Sequence, residues 1–181
     1  MSSRPIAALV YPDGASAHRV IARAIEALRQ RGIPLAGVIE LDPADGTDPQ
    51  PKHLLFKNLA TGEITATAEL DIVLVNEVAL AVTESLHADS PRLLVIDTFG
   101  KIEAAGGGMR RAIRASIDLG IPVLVGVPPA NLARWRKFAG ALAVEMPAEP
   151  WAIAEWLDAQ GLAAIAPLGT AQRLATTESV P

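Results

Sequence analysis

Three short runs in this chain are apolar throughout: Pro5–Val10 (PIAALV), Leu93–Ile96 (LLVI) and Ile121–Val127 (IPVLVGV). A wholly apolar run of this length reads as a strand covered on both faces, the condition of a parallel sheet. Parallel neighbours need long crossovers, and helices supply them. The alternation of such runs with helical patterns therefore predicts an α/β domain, doubly wound, with a mainly parallel sheet and helices on both faces.

The intervening stretches fit that frame. Val20, Ile21, Ala24, Ile25 and Leu28 recur at helical spacing within Ala17–Arg31, and Gly32 with Pro34 stops the helix. Leu35–Leu41 (LAGVIEL) is a second strand, and Asp42–Lys52 is a loop dense in Pro, Gly and Asp. His53–Leu59 and Glu63–Ala68 flank Ala60-Thr61-Gly62, a β-hairpin insertion placed at a sheet edge. Leu70–Val75 reads as a short extended piece. Asn76 then caps a helix to about His87, with Ala79, Val82 and Leu86 inward. Met109–Leu119 is helical, Asn131 caps a helix to about Ala139, and Ala141–Glu145 is the last strand. Pro150 opens Trp151–Gln160, with Trp151, Ile153, Ala154 and Leu157 inward. Residues 1–168 are expected to form one domain. The tail 169–181 lacks periodicity and is expected to be disordered.

Composition removes several function classes. Half of the 181 residues are hydrophobic, with mean hydropathy +0.29, which no disordered chain shows. No apolar run approaches the roughly 18 residues that span a bilayer, so membrane insertion is not expected. The start lacks a convincing signal peptide, and the expected setting is the cytoplasm. With no cysteine there is no disulfide scaffold, thiolate metal site or thiol nucleophile. A net charge of −4 and the lack of a motif argue against a nucleic-acid partner. His18, His53 and His87 have no zinc spacing. Asp13, Ser16 and His18 are close in sequence, which does not make a catalytic triad. Self-association into a homo-oligomer stays open.

Chemistry concentrates in three places. The first is the central run LLVIDTFGKIEAAGGG, which ends in Asp97, Lys101, Glu103 and the glycines Gly106, Gly107 and Gly108. Residues just past the carboxyl end of such a strand face the crevice where open α/β sheets bind ligands. An acid there is what nucleotide hydrolases use to hold magnesium, making Asp97 the candidate metal ligand. The competing reading has Lys101 in a structural ion pair while the glycines turn the chain. The second place is VYPDGASAHRV, at the first strand-to-helix junction, where backbone amides and a helix N-terminus hold phosphate. Gly14 stands where a glycine is wanted, but Ala17 replaces the phosphate-loop Lys and His18 the Ser or Thr. Backbone amides helped by Asp13, Gly14, Ser16 or His18 still suit an anion; the plainer alternative is a turn into a core helix. The third is NLARWRKFAG, where Leu132, Trp135 and Phe138 fall three apart, as a buried stripe would. Asn131 and Arg134, with Arg110 beside the glycines, are the candidate anion contacts on that side.

The spacing Asp97, Gly100 and Glu103 resembles the D-E-I-G-x-M-E signature of small P-loop nucleoside-triphosphatases of thermophiles. Over about Ile6–Leu157 the chain more closely resembles an uncharacterised bacterial family related to those enzymes, whose genes often stand beside molybdate-transport genes. The motifs are Val10-Tyr11-Pro12-Asp13-Gly14, Ala36-Gly37-Val38, Leu59-Ala60-Thr61-Gly62-Glu63, Phe99–Gly108 and Val127–Gly140. The resemblance implies a P-loop NTPase-like fold with a degenerate phosphate loop, and magnesium as the cation of any nucleotide chemistry. The signature's second acid is Thr98 here, and charge stabilisation is most of phosphoryl-transfer catalysis.

Three readings result. The first is a protein that binds a small anion, a nucleotide phosphate or a molybdate-like oxyanion, accessory to molybdenum metabolism. Its ligand-binding residues would be Asp13, Gly14, Ser16, His18, Gly106, Gly107, Gly108, Arg110, Asn131 and Arg134. The second is a magnesium-dependent nucleoside-triphosphatase or kinase whose rebuilt phosphate site uses Asp97, Lys101 and Glu103. The third is a non-catalytic interaction module.

Overall fold

The computed structural model describes residues 4–12, 17–41, 54–67 and 71–162. The expected loop Asp42–Lys52, the tail 169–181 and the turn residues Asp13, Gly14 and Ser16 lie outside the described residues.

Five parallel strands form the body of the sheet: β1 (Ile6–Val10), β2 (Leu35–Leu41), β5 (Leu93–Ile96), β6 (Val123–Val127) and β7 (Ala143–Pro147). A hairpin, β3 (Leu54–Asn58) and β4 (Ile64–Thr67), continues it antiparallel, giving the order β4-β3-β2-β5-β6-β1-β7. β4 is the outermost strand on that side, where the sequence places the hairpin. Its turn is organised by Asn58, whose Oδ1 accepts the Ala60 and Thr61 amides at 2.9 and 3.3 Å.

Strand residues divide with period two between two apolar layers. Ile6 and Ala8 face α2 (Ile72–Ala88), α4 (Arg110–Asp118) and α5 (Leu132–Ala139). Ala7 and Leu9 face α1 (His18–Gln30) and α6 (Pro150–Ala159). The inner residues Ala79, Val82 and Leu86 of α2 are buried as the spacing predicts. The start of α2 differs: the helix begins at Ile72, and Asp71 caps it by accepting the Val73 and Leu74 amides. The run Ile72–Val75 is therefore helical, and Asn76 is not the cap. In α6 the inward residues are Ala152, Ile153, Trp156 and Leu157, whereas Trp151 is 62% exposed. Among the described residues no helix is long and apolar enough to cross a membrane.

β1 sits between β6 and β7, yet its chain leaves for β2 on the far side of β5. The crossover after β1 packs on one face and the one after β6 on the other. Their carboxyl ends thus part in opposite directions, which opens a crevice at this switch point.

Candidate functional site

Asp97 leaves the end of β5 and is buried, only 7% exposed. Its Oδ2 lies 3.0 Å from His18 Nδ1, at the start of α1, and 3.3 Å from the Glu40 amide at the end of β2. The Tyr11 hydroxyl, just past β1, is hydrogen-bonded to Thr98. The two junctions singled out in the sequence therefore meet above the sheet. Burial, with Asp97 adding to it against the Thr98 hydrogen bond, pushes the Tyr11 pKa up.

The loop that carries Asp97 is pinned from both sides. Phe99 N–H donates to Gly126 O at 2.7 Å, Asp97 N–H to Val38 O at 3.2 Å, and Asn131 Nδ2 to Phe99 O at 2.9 Å. Gly126 is obligatory here, because a Cβ would run into the Asp97 carbonyl. Below the loop, Phe99 packs edge-on to Trp135 at 5.1 Å and stacks with Phe138 at 5.8 Å. The aromatic stripe of α5 is thus core, holding the loop from beneath.

A short helix, α3 (Lys101–Ala105), follows. Glu103 Oε2 accepts the Gly100 amide at 2.9 Å, the glutamate's half of a capping box, and Oε1 accepts the Met109 amide at 3.0 Å. Glu103 is 6% exposed, and both of its carboxylate oxygens brace backbone amides. Gly106 ends α3 with φ +113°, and Gly107 N–H closes the turn by donating to Ile102 O at 3.0 Å. A Cβ at Gly108 would strike the Glu103 carboxylate. Gly106, Gly107 and Gly108 therefore serve the turn.

Asp97, Thr98, Lys101 and Glu103 line a cavity of about 160 Å³, whose remaining lining is mostly apolar and comes from β2, β3, α2, the end of β5, Gly100, α3 and Met109. Lys101 and Thr98 are exposed. Gly106, Gly107, Gly108 and Arg110 line a different cleft, of about 500 Å³ between α2 and α4, together with Asn76, Arg111 and Arg114. Asn76, which the sequence reading used as a cap, accepts the Gly108 amide at 3.0 Å instead. Arg110 and Arg114 lie 4.6 and 5.4 Å from the Phe138 ring. Burial and then Arg114 lower the Arg110 pKa, and Glu103 opposes them. Asn131 is buried, and its side-chain amide donates to the Phe99 carbonyl in support of the loop. Arg134 is exposed on α5 and lines neither cavity.

Among the described residues no three His, Asp or Glu side chains form a metal cluster. Magnesium commonly takes one or two carboxylates and completes its shell with water and substrate phosphate. The buried Asp97 carboxylate would supply such a ligand to a magnesium ion arriving with a phosphate.

The class is an α/β domain of P-loop NTPase-like fold, its mostly parallel sheet extended by an antiparallel hairpin. A family profile described as "Protein of unknown function (DUF2478)" matches residues 6–156, and the chain belongs to that family. The chain is similar to the "Molybdenum import ATP-binding protein ModC 2" of Bradyrhizobium diazoefficiens, 26% identical over 160 residues. That match takes in 83% of this chain but only 18% of the length of the relative. Among solved structures, THEP1 from the hyperthermophile Aquifex aeolicus superposes with TM-score 0.56 at 15% identity, over 81% of this chain and 91% of that one.

Proposed function

We propose that this protein binds a small anion, a nucleotide phosphate or a tetrahedral oxyanion such as molybdate, in the crevice at the carboxyl ends of β1, β6 and β5, as an accessory to molybdenum handling. The observation that carries the reading is the His18–Asp97 pair, which ties the helix at the old phosphate turn to the acid of the central strand. His18 stands on one side, Asp97 with Lys101 on the other, and Glu103 braces the loop on which both stand; Asp13, Gly14 and Ser16, outside the described residues, are proposed as further ligand contacts. The Arg110–Gly108 cleft is a second place where an anion finds cationic groups. The molybdenum link draws on the name of the Bradyrhizobium relative.

Thermal unfolding with molybdate, tungstate, sulfate, ATP and GTP, each with and without magnesium, tests the reading. A ligand at a hundredfold excess over Kd stabilises by about 2.7 kcal/mol, a readable shift. Stabilisation by an oxyanion or nucleotide that falls in His18→Ala supports the proposal; no response to any of them overturns it and favours the interaction-module reading. A second reading, magnesium-dependent nucleotide hydrolysis, draws on the exposed Lys101 beside Asp97 as a replacement cation. It requires nucleotide turnover that Lys101→Ala abolishes with folding intact.

A further inference from the structure

The cleft between α2 and α4 presents side-chain donors and no acid. Arg110, Arg111, Arg114 and Asn76 line it, and among the described residues no carboxylate does. The Asn76 oxygen accepts the Gly108 amide, which leaves its NH2 as the group to offer. The amides of Gly106 and Gly107 donate to the Glu103 and Ile102 carbonyls, so the backbone of the turn is already spent. What is left for a ligand is chiefly guanidinium.

Aromatic rings, not acids, place two of these guanidiniums. Arg110 lies 5.6 Å from the Phe99 ring and 4.6 Å from the Phe138 ring, and Arg114 lies 5.4 Å from that same Phe138. Arg110 Nε is buried and has no acceptor among the described residues. Glu103, the acid that acts on Arg110 electrostatically, has both oxygens on backbone amides. Two like charges over one ring repel; after burial, Arg114 is the next cause that lowers the Arg110 pKa. A dianion relieves that repulsion, and the fork of a guanidinium fits phosphoryl oxygens.

At about 500 Å³ the cleft has room for more than a bare tetrahedral anion and falls within the range of small-molecule sites. Ala79 and Leu80 of α2 give it an apolar wall, and Leu80 is 43% exposed. We infer that this cleft binds a small phosphate monoester, its dianion held by Arg110, Arg111 and Arg114 and its organic part against Ala79 and Leu80. The inference deepens the proposed part of this cleft as a second anion site and rests on that reading, not on the crevice at His18 and Asp97.

Calorimetry on the full chain at about pH 8, roughly two units above the second pKa of the ester, takes phenyl phosphate, inorganic phosphate and benzenesulfonate as probes. Phenyl phosphate binds most tightly, since inorganic phosphate lacks the apolar part and benzenesulfonate carries a single charge. Arg111→Gln and Arg114→Gln, both at exposed positions, each weaken phenyl phosphate about tenfold, the loss of one charge-assisted contact. Leu80→Ser removes the advantage of phenyl phosphate over inorganic phosphate. A wild-type chain that does not bind phenyl phosphate, or binds benzenesulfonate equally, overturns the inference. So does full affinity in either arginine variant, or an unchanged preference in Leu80→Ser. Phenyl phosphate binding that His18→Ala abolishes and Arg114→Gln retains moves the ester to the crevice and overturns it as well. Molybdate titrations of His18→Ala and Arg114→Gln report the crevice separately, so either conclusion can fall alone.

Discussion

Glu103 holds the amides of Gly100 and Met109 with its two oxygens, and this fixes where its neighbour Lys101 and the start of α4 stand. Glu103→Ala leaves both amides without their acceptor, at an expected cost of about 2–4 kcal/mol in denaturant unfolding. A much smaller loss would show that the turn holds without it. Tyr11 reports the other side of the crevice, and it is the chain's single tyrosine. Its pKa is raised above 10.0 in the fold, so the folded state keeps the proton longer than the unfolded one. The stabilisation this gives is complete below the unfolded pKa and is lost as pH rises through the folded one. Ultraviolet titration of the phenolate therefore shows a midpoint above that of the denatured chain, and Tyr11→Phe flattens the alkaline loss of stability. Asp97 was legible in the sequence because it ends an apolar strand. Its contact with His18 was not, because 79 residues separate them and only the fold joins them. The bracing role of Glu103 had a local signal, a glutamate three residues after a candidate cap, outweighed by the likeness of the acid pair to a catalytic site.

Among the elements, α2 shows how a local pattern misleads. Ile72–Val75 is a run of branched and aliphatic residues with strand propensity, yet it forms the first turn of a helix. Ile72 and Val73 are themselves exposed; the helix is held by the packing of its later turns, through Ala79, Val82 and Leu86, and Asp71 supplies the start signal. Asp71→Ala should cost about 1 kcal/mol, with fraying confined to the first turn in hydrogen exchange. The phase of α6 shows the same limit. Ile153 and Leu157 fix the buried face, and Trp156 joins it because its indole N–H finds the Arg4 carbonyl at 3.1 Å. Trp151, one turn earlier, has the same hydrophobicity but points to solvent. The hairpin is legible from its alternation and glycine, whereas the part of Asn58 in its turn, a side-chain oxygen accepting two amides, carries no pattern in the sequence.

At the scale of the whole molecule, the alternation of apolar runs with helices made the α/β class and the mainly parallel sheet legible. Strand order was not, since placing β1 between β6 and β7 rests on pairings more than a hundred residues apart, such as Ile6 with Val123 and Ala143. The same long-range placement separates groups that sequence proximity had merged. Lys101 and Arg110 are nine positions apart but line different cavities, because α3 and its glycine turn stand between them.

Gly126 carries the last consequence. It lies mid-strand, far along the chain from the acid it serves, where the bare string of residues shows only a weak spot in β6. A lone hydrogen at that position lets the acid-bearing loop settle onto its neighbour, so a single methyl there would act as a wedge against the backbone of Asp97, prising its carboxylate off His18.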